Sequence, residues 1–300
     1  MTLASSPDTL ASGNMRGAAL MVAAMVLFAL EDTLLKDVAT RLPVGEVMMI
    51  FGIGGMAVFA GLIKQRNERL LHPALWSRVM LIRTLFEIMG RVFFTLSLVY
   101  TTLSSTSAIL QATPIVVTAA GAIIWRAPVG ALRWMLIILG FVGVLMVLQP
   151  TSGAFSPLSI LAVLGMLGFA GRDLATRAAP PVLSYAQLGL YGFAALVLSG
   201  AGLLIWDGPA TLPSALDLAA LSGAILVGVS AYTCLTFAMR MGELSVVTPF
   251  RYSRLLFGMA MGILAFGERP DTWEIIGGVV IVIAGLSIML TSSKRKTPAN

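Results

Sequence analysis

Long apolar segments alternate with short polar connectors along the whole of this chain. An α-helix needs about 20 residues to cross the hydrocarbon core of a membrane. The pattern predicts ten transmembrane helices, over residues 16–35, 44–63, 75–97, 103–125, 131–149, 157–178, 183–205, 214–239, 244–266 and 273–291. The connectors are rich in proline and glycine, which favour turns, and they are too short to form a separate catalytic domain.

The second half of the chain resembles the first. A gapless shift of 141 residues aligns Met25 with Met166, Phe28 with Phe169, Ala29 with Ala170, Asp32 with Asp173, Lys36 with Arg177, Leu103 with Leu244 and Ser104 with Ser245. Each half contains five predicted helices, and an odd number of crossings gives the second copy the opposite orientation in the membrane. The sequence therefore predicts an all-α integral membrane protein with ten transmembrane helices in two inverted five-helix repeats. Secondary transporters bind substrate between such repeats.

The hydropathy pattern also divides the chain into regions. Residues 1–14 are small and polar and are predicted to form a disordered tail. Residues 15–150 are predicted to form the first repeat and residues 151–291 the second. Residues 292–300 are predicted to form a basic cytoplasmic tail.

The composition excludes an ordinary soluble domain. The chain is 58% hydrophobic and 11% charged, with a mean hydropathy of +0.92, whereas soluble domains have about 25% charged residues. Membrane lipid is therefore the expected surrounding medium. The net charge of +6 does not indicate nucleic-acid binding, because the basic residues are concentrated in connectors and at the C-terminus.

The distribution of lysine and arginine predicts the orientation. With the N-terminus in the cytoplasm, thirteen of the twenty basic residues lie in cytoplasmic segments, three lie outside and four lie within helices. Cytoplasmic segments of membrane proteins carry an excess of lysine and arginine. We therefore expect a multi-pass protein of the bacterial inner membrane with both termini in the cytoplasm.

The chain has one cysteine, Cys234, and one histidine, His72. An internal disulfide and a Cys/His zinc site are therefore excluded. Neither Cys234 nor Ser230 has a histidine within its own helix to activate it as a nucleophile. We expect a protein that is not an enzyme and that has no metal and no cofactor.

Charged residues inside the third predicted helix form a stripe. Arg83, Glu87 and Arg91 recur every four residues, which places them on one helix face. Glu87 can pair with either arginine, which leaves one positive charge over. The stripe is either a structural ion ladder between helices or part of a substrate site, and Arg83 and Glu87 are candidate substrate-binding residues.

The ninth predicted helix carries two arginines without an acid within one turn, Arg251 and Arg254. Charges at this depth are costly and need a partner. That partner is Glu87, Asp173, or the carboxylate or phosphate of a substrate. Both arginines are therefore candidate substrate-binding residues.

Other polar positions complete the candidate site. Gln111 follows a helical spacing with other polar residues of the fourth helix, and Tyr252 can donate a hydrogen bond, although tyrosine often anchors a helix at the interface. Glu31, Asp32 and Asp173 are candidates for gating or proton coupling, and their alternative role is to cap helix ends or reach the membrane surface.

Two prolines lie in the predicted helices at matching stages of the two repeats. Pro114 is in the fourth helix and Pro249 is near the start of the ninth. Proline removes a backbone hydrogen bond and permits bending. We predict that these prolines are hinges, and the alternative is a fixed kink.

Several stretches of the chain resemble the drug/metabolite transporter superfamily in its EamA branch. They are Leu27-Phe28-Ala29-Leu30-Glu31-Asp32-Thr33 with Lys36, Arg83 with Leu98-Val99-Tyr100 and Ser107-Ala108 through Thr113-Pro114, and Phe266-Gly267-Glu268-Arg269-Pro270 with Gly277-Gly278 and Gly285. The chain departs from the family at Ala127, where a glutamate is usual, and at Phe51-Gly52, where an arginine is frequent. The resemblance implies a compact bundle with a central cavity that opens alternately to either side.

The resemblance also implies a class of substrate, because relatives export amino acids while others carry nucleotide sugars or cofactors. The arginines beside Glu87 match a molecule with both a carboxylate and an amine. We therefore predict a secondary transporter that exports small polar metabolites, amino acids above all, as a monomer or weak dimer. The alternatives are a nucleotide-linked, phosphorylated or cofactor-like cargo on the same fold, and a membrane protein that does not transport.

Overall fold

The computed structural model describes residues 7–124, 131–149, 156–177, 179–180, 182–241 and 248–293. Its α-helices are α1 (Pro7–Val38), α2 (Val44–Gln65), α3 (Arg78–Tyr100), α4 (Leu103–Leu110), α5 (Thr113–Ile124), α6 (Ala131–Leu148), α7 (Ser159–Arg177), α8 (Tyr185–Asp207), α9 (Ala215–Met241), α10 (Ser253–Phe266) and α11 (Thr272–Ser293). Short 3-10 helices cover Pro73–Trp76 and Thr248–Tyr252. Helices suit apolar segments in lipid because all their backbone hydrogen bonds are internal. The described structure is therefore all-α, as the sequence predicts.

Several helices are long and apolar enough to cross a membrane by length and composition alone. Five of the described helices meet that criterion, over Met15–Val38, Val44–Gln65, Ser159–Thr176, Tyr185–Ile205 and Ala215–Ala238. The charged stripe of α3 makes that helix less apolar than its neighbours, although it has 23 residues. Its charges must therefore be compensated inside the bundle.

The first helix is longer than the sequence predicts. It begins at Pro7, so residues 7–14 are helical rather than part of a disordered tail. Proline is favoured at the first position of a helix, where its missing N–H group has no intrahelical partner to lose. Residues 1–6 and residues 294–300, which hold most of the predicted basic tail, lie outside the described residues.

The fourth predicted helix is broken into α4 and α5. Pro114 is the second residue of α5, and without an N–H group it cannot bond the carbonyl of Leu110, four residues earlier. The hydroxyl of Thr113 donates to that carbonyl instead, at 2.6 Å. The proline thus starts a new helix and does not bend a continuous one.

The ninth predicted helix is also irregular. The 3-10 helix Thr248–Tyr252 precedes α10, and Pro249 lies in it. The shift of 141 residues places α5 on residues 254–265, which is nearly the extent of α10. Both repeats therefore begin a helix just after a proline-containing or polar break, and the action of Pro114 and Pro249 as hinges stays a prediction.

The packing of the helices follows the inverted repeat. Helix α1 packs on α9, α3 on α7, α2 on α8 and α6 on α11, so each of these pairs joins the two repeats. The shift exchanges the first two pairs and maps each of the others onto itself. Helices α3 and α7 approach most closely at Gly168, where a Cβ atom would overlap the backbone of Gly90. This close approach brings the charged face of α3 against α7.

Candidate functional site

Charged side chains from both repeats meet inside the bundle. This central charge cluster consists of Glu31 and Asp32 on α1, Arg83, Glu87 and Arg91 on α3, Arg172 and Asp173 on α7, Arg251 on the 3-10 helix and Arg254 on α10. A charge at the bilayer centre costs about 2.5–3.5 kcal/mol on insertion scales, which favours contact among charges over contact with lipid. The cluster therefore lies where transporters of this architecture bind substrate.

Glu87 forms ion pairs with three arginines. Its Oε2 atom lies 3.4 Å from Nη2 of Arg83, and its Oε1 atom lies 3.3 Å from both Nε of Arg91 and Nη1 of Arg172. The side chain of Glu87 is only 3% exposed. Helical spacing brings the first two arginines to Glu87, whereas Arg172 comes from the other repeat. Because three cations share this carboxylate, it is less available to a substrate amine than the sequence suggests.

A second contact reinforces the pairing of α3 with α7. Arg83 donates through Nε to the hydroxyl of Thr176 at 3.0 Å, and that hydroxyl donates to the carbonyl of Arg172 at 2.8 Å. The buried face of α3 is therefore attached to α7 by ion pairs and by neutral hydrogen bonds.

Arg172 also bonds its neighbour in the sequence. Its Nη2 atom lies 2.8 Å from Oδ1 of Asp173, and the other carboxylate oxygen of Asp173 lies 3.7 Å from Nη1 of Arg251. Asp173 is one of the partners that the sequence analysis offers for Arg251. A chain of alternating charges thus runs from Glu87 to the start of the ninth predicted helix.

Arg254 has a partner that sequence spacing does not indicate. Its Nη2 atom lies 2.6 Å from Oδ2 of Asp32, which is 222 positions away. The expectation that both arginines of this segment lack a protein acid is therefore wrong for the folded chain. Packing of α1 against α10 brings the two residues together.

Phenylalanine rings separate the arginines of the cluster. Arg254 lies over Phe28, 5.1 Å from the ring centroid, and Arg172 lies over Phe169 at 4.8 Å. The rings of Phe94 and Phe169 contact each other with centroids 5.5 Å apart. Ring faces attract guanidinium groups by about 0.5–2 kcal/mol. Sequence reasoning did not assign these rings to the site, although the alignment of Phe28 with Phe169 was a signal.

Gln111 and Tyr252 occupy equivalent positions under the shift. Gln111 ends α4 and is buried, with Nε2 3.4 Å from the carbonyl of Ser107. Tyr252 precedes α10, and its buried hydroxyl lies against Gly285 without a hydrogen-bond partner among the described residues. Neither side chain hydrogen bonds to the central charge cluster, and their assignment to substrate binding stays a prediction.

A further charged contact lies where α3 meets α4. Glu268 accepts hydrogen bonds from the backbone N–H groups of Leu103 and Ser104 at 2.7 and 3.0 Å and from the Ser104 hydroxyl at 2.8 Å. Lys36 lies 3.2 Å from the same carboxylate. Burial alone would raise the pKa of Glu268, but these donors outweigh it and hold that pKa below its ordinary value. Glu268 thus stays ionised at the N-terminus of α4, which favours a negative charge.

The described residues contain no grouping of three or more His, Cys, Asp or Glu side chains suited to a metal ion. An open cavity of about 420 Å³ is lined by Glu68, Arg69, His72, Val182, Leu183, Ser184 and Gln187. It lies at the α2–α3 and α7–α8 connectors and contains no member of the central charge cluster. The buried charges between the repeats therefore form the better candidate site.

Comparison with known proteins supports a transport role for this architecture. The model of the EamA-like transporter family matches residues 15–149 and again residues 156–291. A solved crystal structure superimposes with a TM-score of 0.62 at 14% identity, covering 95% of this chain and 99% of that one, and it establishes likeness of fold alone.

Three relatives with stated cargoes are similar in sequence. The pseudopaline exporter of Pseudomonas aeruginosa is 27% identical over 283 residues, covering 92% of this chain and 96% of its own length. The S-adenosylmethionine uptake transporter of Rickettsia felis is 26% identical over 57% of this chain and 56% of its own length. The riboflavin transporter of Rhizobium johnstonii is 27% identical over 56% of this chain and 55% of its own length. These relatives all move small molecules across membranes.

Proposed function

This chain belongs to the EamA-like transporter family, and from that premise we propose that it exports small polar metabolites, amino acids in particular, across the bacterial inner membrane. Membrane transport of a small molecule follows from the family and excludes an enzymatic role. The direction, the membrane and the class of cargo are the substance of the proposal. The similarity to an exporter over nearly the full chain favours the outward direction.

The observation that carries the proposal is the ion pair between Glu87 and Arg172, which joins the two repeats inside the bundle. Around it, acids and arginines of the central charge cluster lie side by side. Such a site offers charge-assisted hydrogen bonds to both ends of a zwitterion. An amino acid carries both an ammonium and a carboxylate group, so it matches the site better than a singly charged molecule does.

The mechanism that suits an inverted repeat is alternating access. Under this proposal the two repeats rock about the cluster, and the third, fourth, eighth and ninth predicted helices form the path. Glu31, Asp32 and Asp173 are the acids proposed for gating or proton coupling. A substrate that replaces contacts inside the cluster would weaken the bonds between repeats and permit the change of side.

The proposed orientation places both termini in the cytoplasm. The connector between α2 and α3, with Lys64, Arg66 and Arg69, then faces the cytoplasm. The turn with Glu268, between α10 and α11, then faces the opposite side. This orientation follows the excess of basic residues in the cytoplasmic connectors.

Transport by purified protein tests the proposal. The protein is reconstituted in liposomes loaded with labelled amino acids, and efflux is measured against protein-free vesicles. We expect saturable efflux of at least one amino acid, reduced by an excess of the same unlabelled compound. Absence of saturable flux for every member of the panel would remove the amino-acid assignment.

Substitutions in the cluster connect transport with the site. Arg83→Ala, Glu87→Ala and Arg254→Ala are each expected to reduce transport more than they reduce expression. Arg269→Ala, which removes an exposed arginine, is the matched control and should transport like the wild type. Wild-type flux in all three cluster variants would assign these charges to architecture.

A second cargo class is favoured by two of the relatives. The S-adenosylmethionine and riboflavin transporters are similar over slightly more than half of the chain. A nucleotide-linked or phosphorylated cargo would use Arg251 and Arg254 to bind phosphate oxygens. Inhibition of flux by phosphorylated metabolites, but not by amino acids, would select this alternative.

A further inference from the structure

The internal repeat permits a position-by-position comparison of the two halves of the site. The shift of 141 residues places Glu87 on Gly228 and Glu31 on Arg172. The ion pair between Glu87 on α3 and Arg172 on α7 therefore has a structural counterpart between Gly228 on α9 and Glu31 on α1. One half of the site has two opposite charges in contact, and the other half has an acid facing a residue without a side chain.

Packing confirms that Glu31 occupies this counterpart position. A Cβ atom on Gly228 would lie 2.9 Å from Oε2 of Glu31, so the carboxylate rests against the backbone of α9. Glu31 is 3% exposed. Within the described parts of the chain it has no hydrogen-bond or ion-pair partner.

The other acids of the central charge cluster differ from Glu31. Asp32 pairs with Arg254, Asp173 pairs with Arg172 and Arg251, and Glu87 pairs with three arginines. Charged groups on the neighbouring elements act on Glu31 only through space: Asp32 on its own helix, Arg91 on α3 and Arg254 on α10. Glu31 is therefore the acid of the described cluster that lacks a bonded cation.

An unused donor accompanies this unused acceptor. The Nε–H group of Arg254 is buried and has no acceptor among the described residues, although Nη2 of the same side chain bonds Asp32. Asp32 follows Glu31 directly in the chain, so the Arg254 guanidinium lies close to Glu31. A buried donor and a buried acceptor that both lack partners are costly unless a ligand satisfies them.

We propose that Glu31 binds the ammonium group of the substrate and that the Nε–H group of Arg254 binds its carboxylate. This assignment rests on the proposed export function and names its substrate class: molecules in which an ammonium and a carboxylate lie close together, as in an α-amino acid. The Asp32–Arg254 pair holds the carboxylate-binding guanidinium in position. Glu87 is a positioning residue that holds the three arginines around it.

The proposal predicts how the site discriminates. A carboxylate without an amine would satisfy Arg254 but leave Glu31 buried and unpaired. A hydrogen bond to a charged group contributes about 1.5–3 kcal/mol, which corresponds to roughly ten- to a hundredfold in affinity. The wild-type protein should therefore prefer an amino acid over its analogue without the amine by roughly that factor.

The test compares Glu31→Gln with the wild type in liposomes. Flux of a labelled amino acid is measured with competing phenylalanine, phenylpropionate, glutamate or glutarate. We expect Glu31→Gln to lose most of its preference for the amine-bearing member of each pair, while Arg254→Lys weakens competition by both members. Glu46→Gln is the matched control: Glu46 is another buried acid, which accepts from the N–H group of Thr211 at 2.9 Å outside the cluster, and its preference should be unchanged.

The outcomes separate this inference from the function on which it rests. If the wild type carries no amino acid, the proposed function fails. If the wild type carries one and Glu31→Gln still prefers the amine-bearing member as strongly, the function stands and the role of Glu31 is overturned. Should Glu31→Gln be inactive in flux, thermal stabilisation of the purified variant by phenylalanine and by phenylpropionate gives the same comparison. Equal preference in the variant and the wild type would again contradict the proposal.

Discussion

Oε1 of Glu87 on α3 lies 3.3 Å from Nη1 of Arg172 on α7, and this contact joins the two repeats at the point where α3 and α7 pack together. The residues are 85 positions apart. The same carboxylate also pairs with Arg83 and Arg91 on its own helix. It therefore connects a contact that spacing reveals with one that only folding creates.

Replacement of Glu87 by glutamine should destabilise the protein strongly. Three buried arginines would lose their shared anion, and breaking a buried ion pair in this way costs about 3–5 kcal/mol. Thermal unfolding of the purified variant in detergent measures the effect. Asp37→Asn removes an acid from the exposed Asp37–Arg41 pair and should change stability by less than about 1 kcal/mol. Equal unfolding temperatures for both variants would contradict the buried network.

Glu268→Gln should weaken the attachment of α4 in a pH-dependent way. The folded state holds the pKa of Glu268 below its ordinary value of 4.5, so the ionised carboxylate stabilises the fold above that pH, and the contribution disappears as pH falls through the lowered pKa. At neutral pH the variant should lose about 1–3 kcal/mol, since a hydrogen-bonded charge is removed.

Unfolding curves of the wild type and Glu268→Gln between neutral and acid pH measure this difference. The two proteins should differ at neutral pH and converge in acid below pH 4.5. A difference that is constant across the range would show that ionisation of Glu268 has no part in holding α4.

Gly168→Ala should separate α3 from α7. A Cβ atom at Gly168 would overlap the backbone of Gly90, and backbone cannot yield as a side chain can. We expect a loss of about 1–3 kcal/mol or more in stability and a loss of transport, because Glu87 would move away from Arg172. Unfolding temperature and flux are the measurements.

Other helical glycines provide the controls for Gly168. Gly61 and Gly202 face open space, with no heavy atom within 4 Å of an added Cβ. Gly61→Ala and Gly202→Ala should be neutral or slightly stabilising, because alanine favours the helix by about 1 kcal/mol. If Gly168→Ala behaved like these two, the close packing of α3 and α7 would be refuted.

Chemical labelling should establish the orientation. In a Cys234→Ser background, Leu212→Cys marks the connector between α8 and α9 and Asn67→Cys marks the connector between α2 and α3. Both original residues are exposed. With the termini in the cytoplasm, a membrane-impermeant maleimide should label the first variant in intact cells and the second only after lysis. The reverse pattern would invert the proposed topology.

The comparison of sequence and structure shows which features spacing can reveal. The apolar segments predicted an all-α fold because a bilayer requires about 20 apolar residues per helix, and the shift of 141 residues indicated the inverted repeat. The recurrence of Arg83, Glu87 and Arg91 every four residues predicted a common helix face, and the structure places all three in one ion-pair group. These features are local, so the order of residues is sufficient to predict them.

The helix breaks were only partly predictable. Pro114 indicated an irregular fourth helix, but the sequence predicts a bend within one helix where the structure has two helices. The reason is that Thr113 satisfies the Leu110 carbonyl that the proline leaves free. Whether a proline bends or ends a helix depends on such a neighbour, which spacing alone does not identify.

The sequence by itself thus determined that the chain forms membrane-spanning helices, that it is a duplicated transporter and that certain helices carry buried charge. Only the tertiary structure decided which charges meet: Arg254 with Asp32, Arg172 with Glu87, and Glu268 with the N-terminus of α4. The physical reason is the range of the interactions. Hydropathy and helical periodicity act within one segment, whereas an ion pair between segments forms only after packing brings two helices within about 4 Å of each other at those side chains.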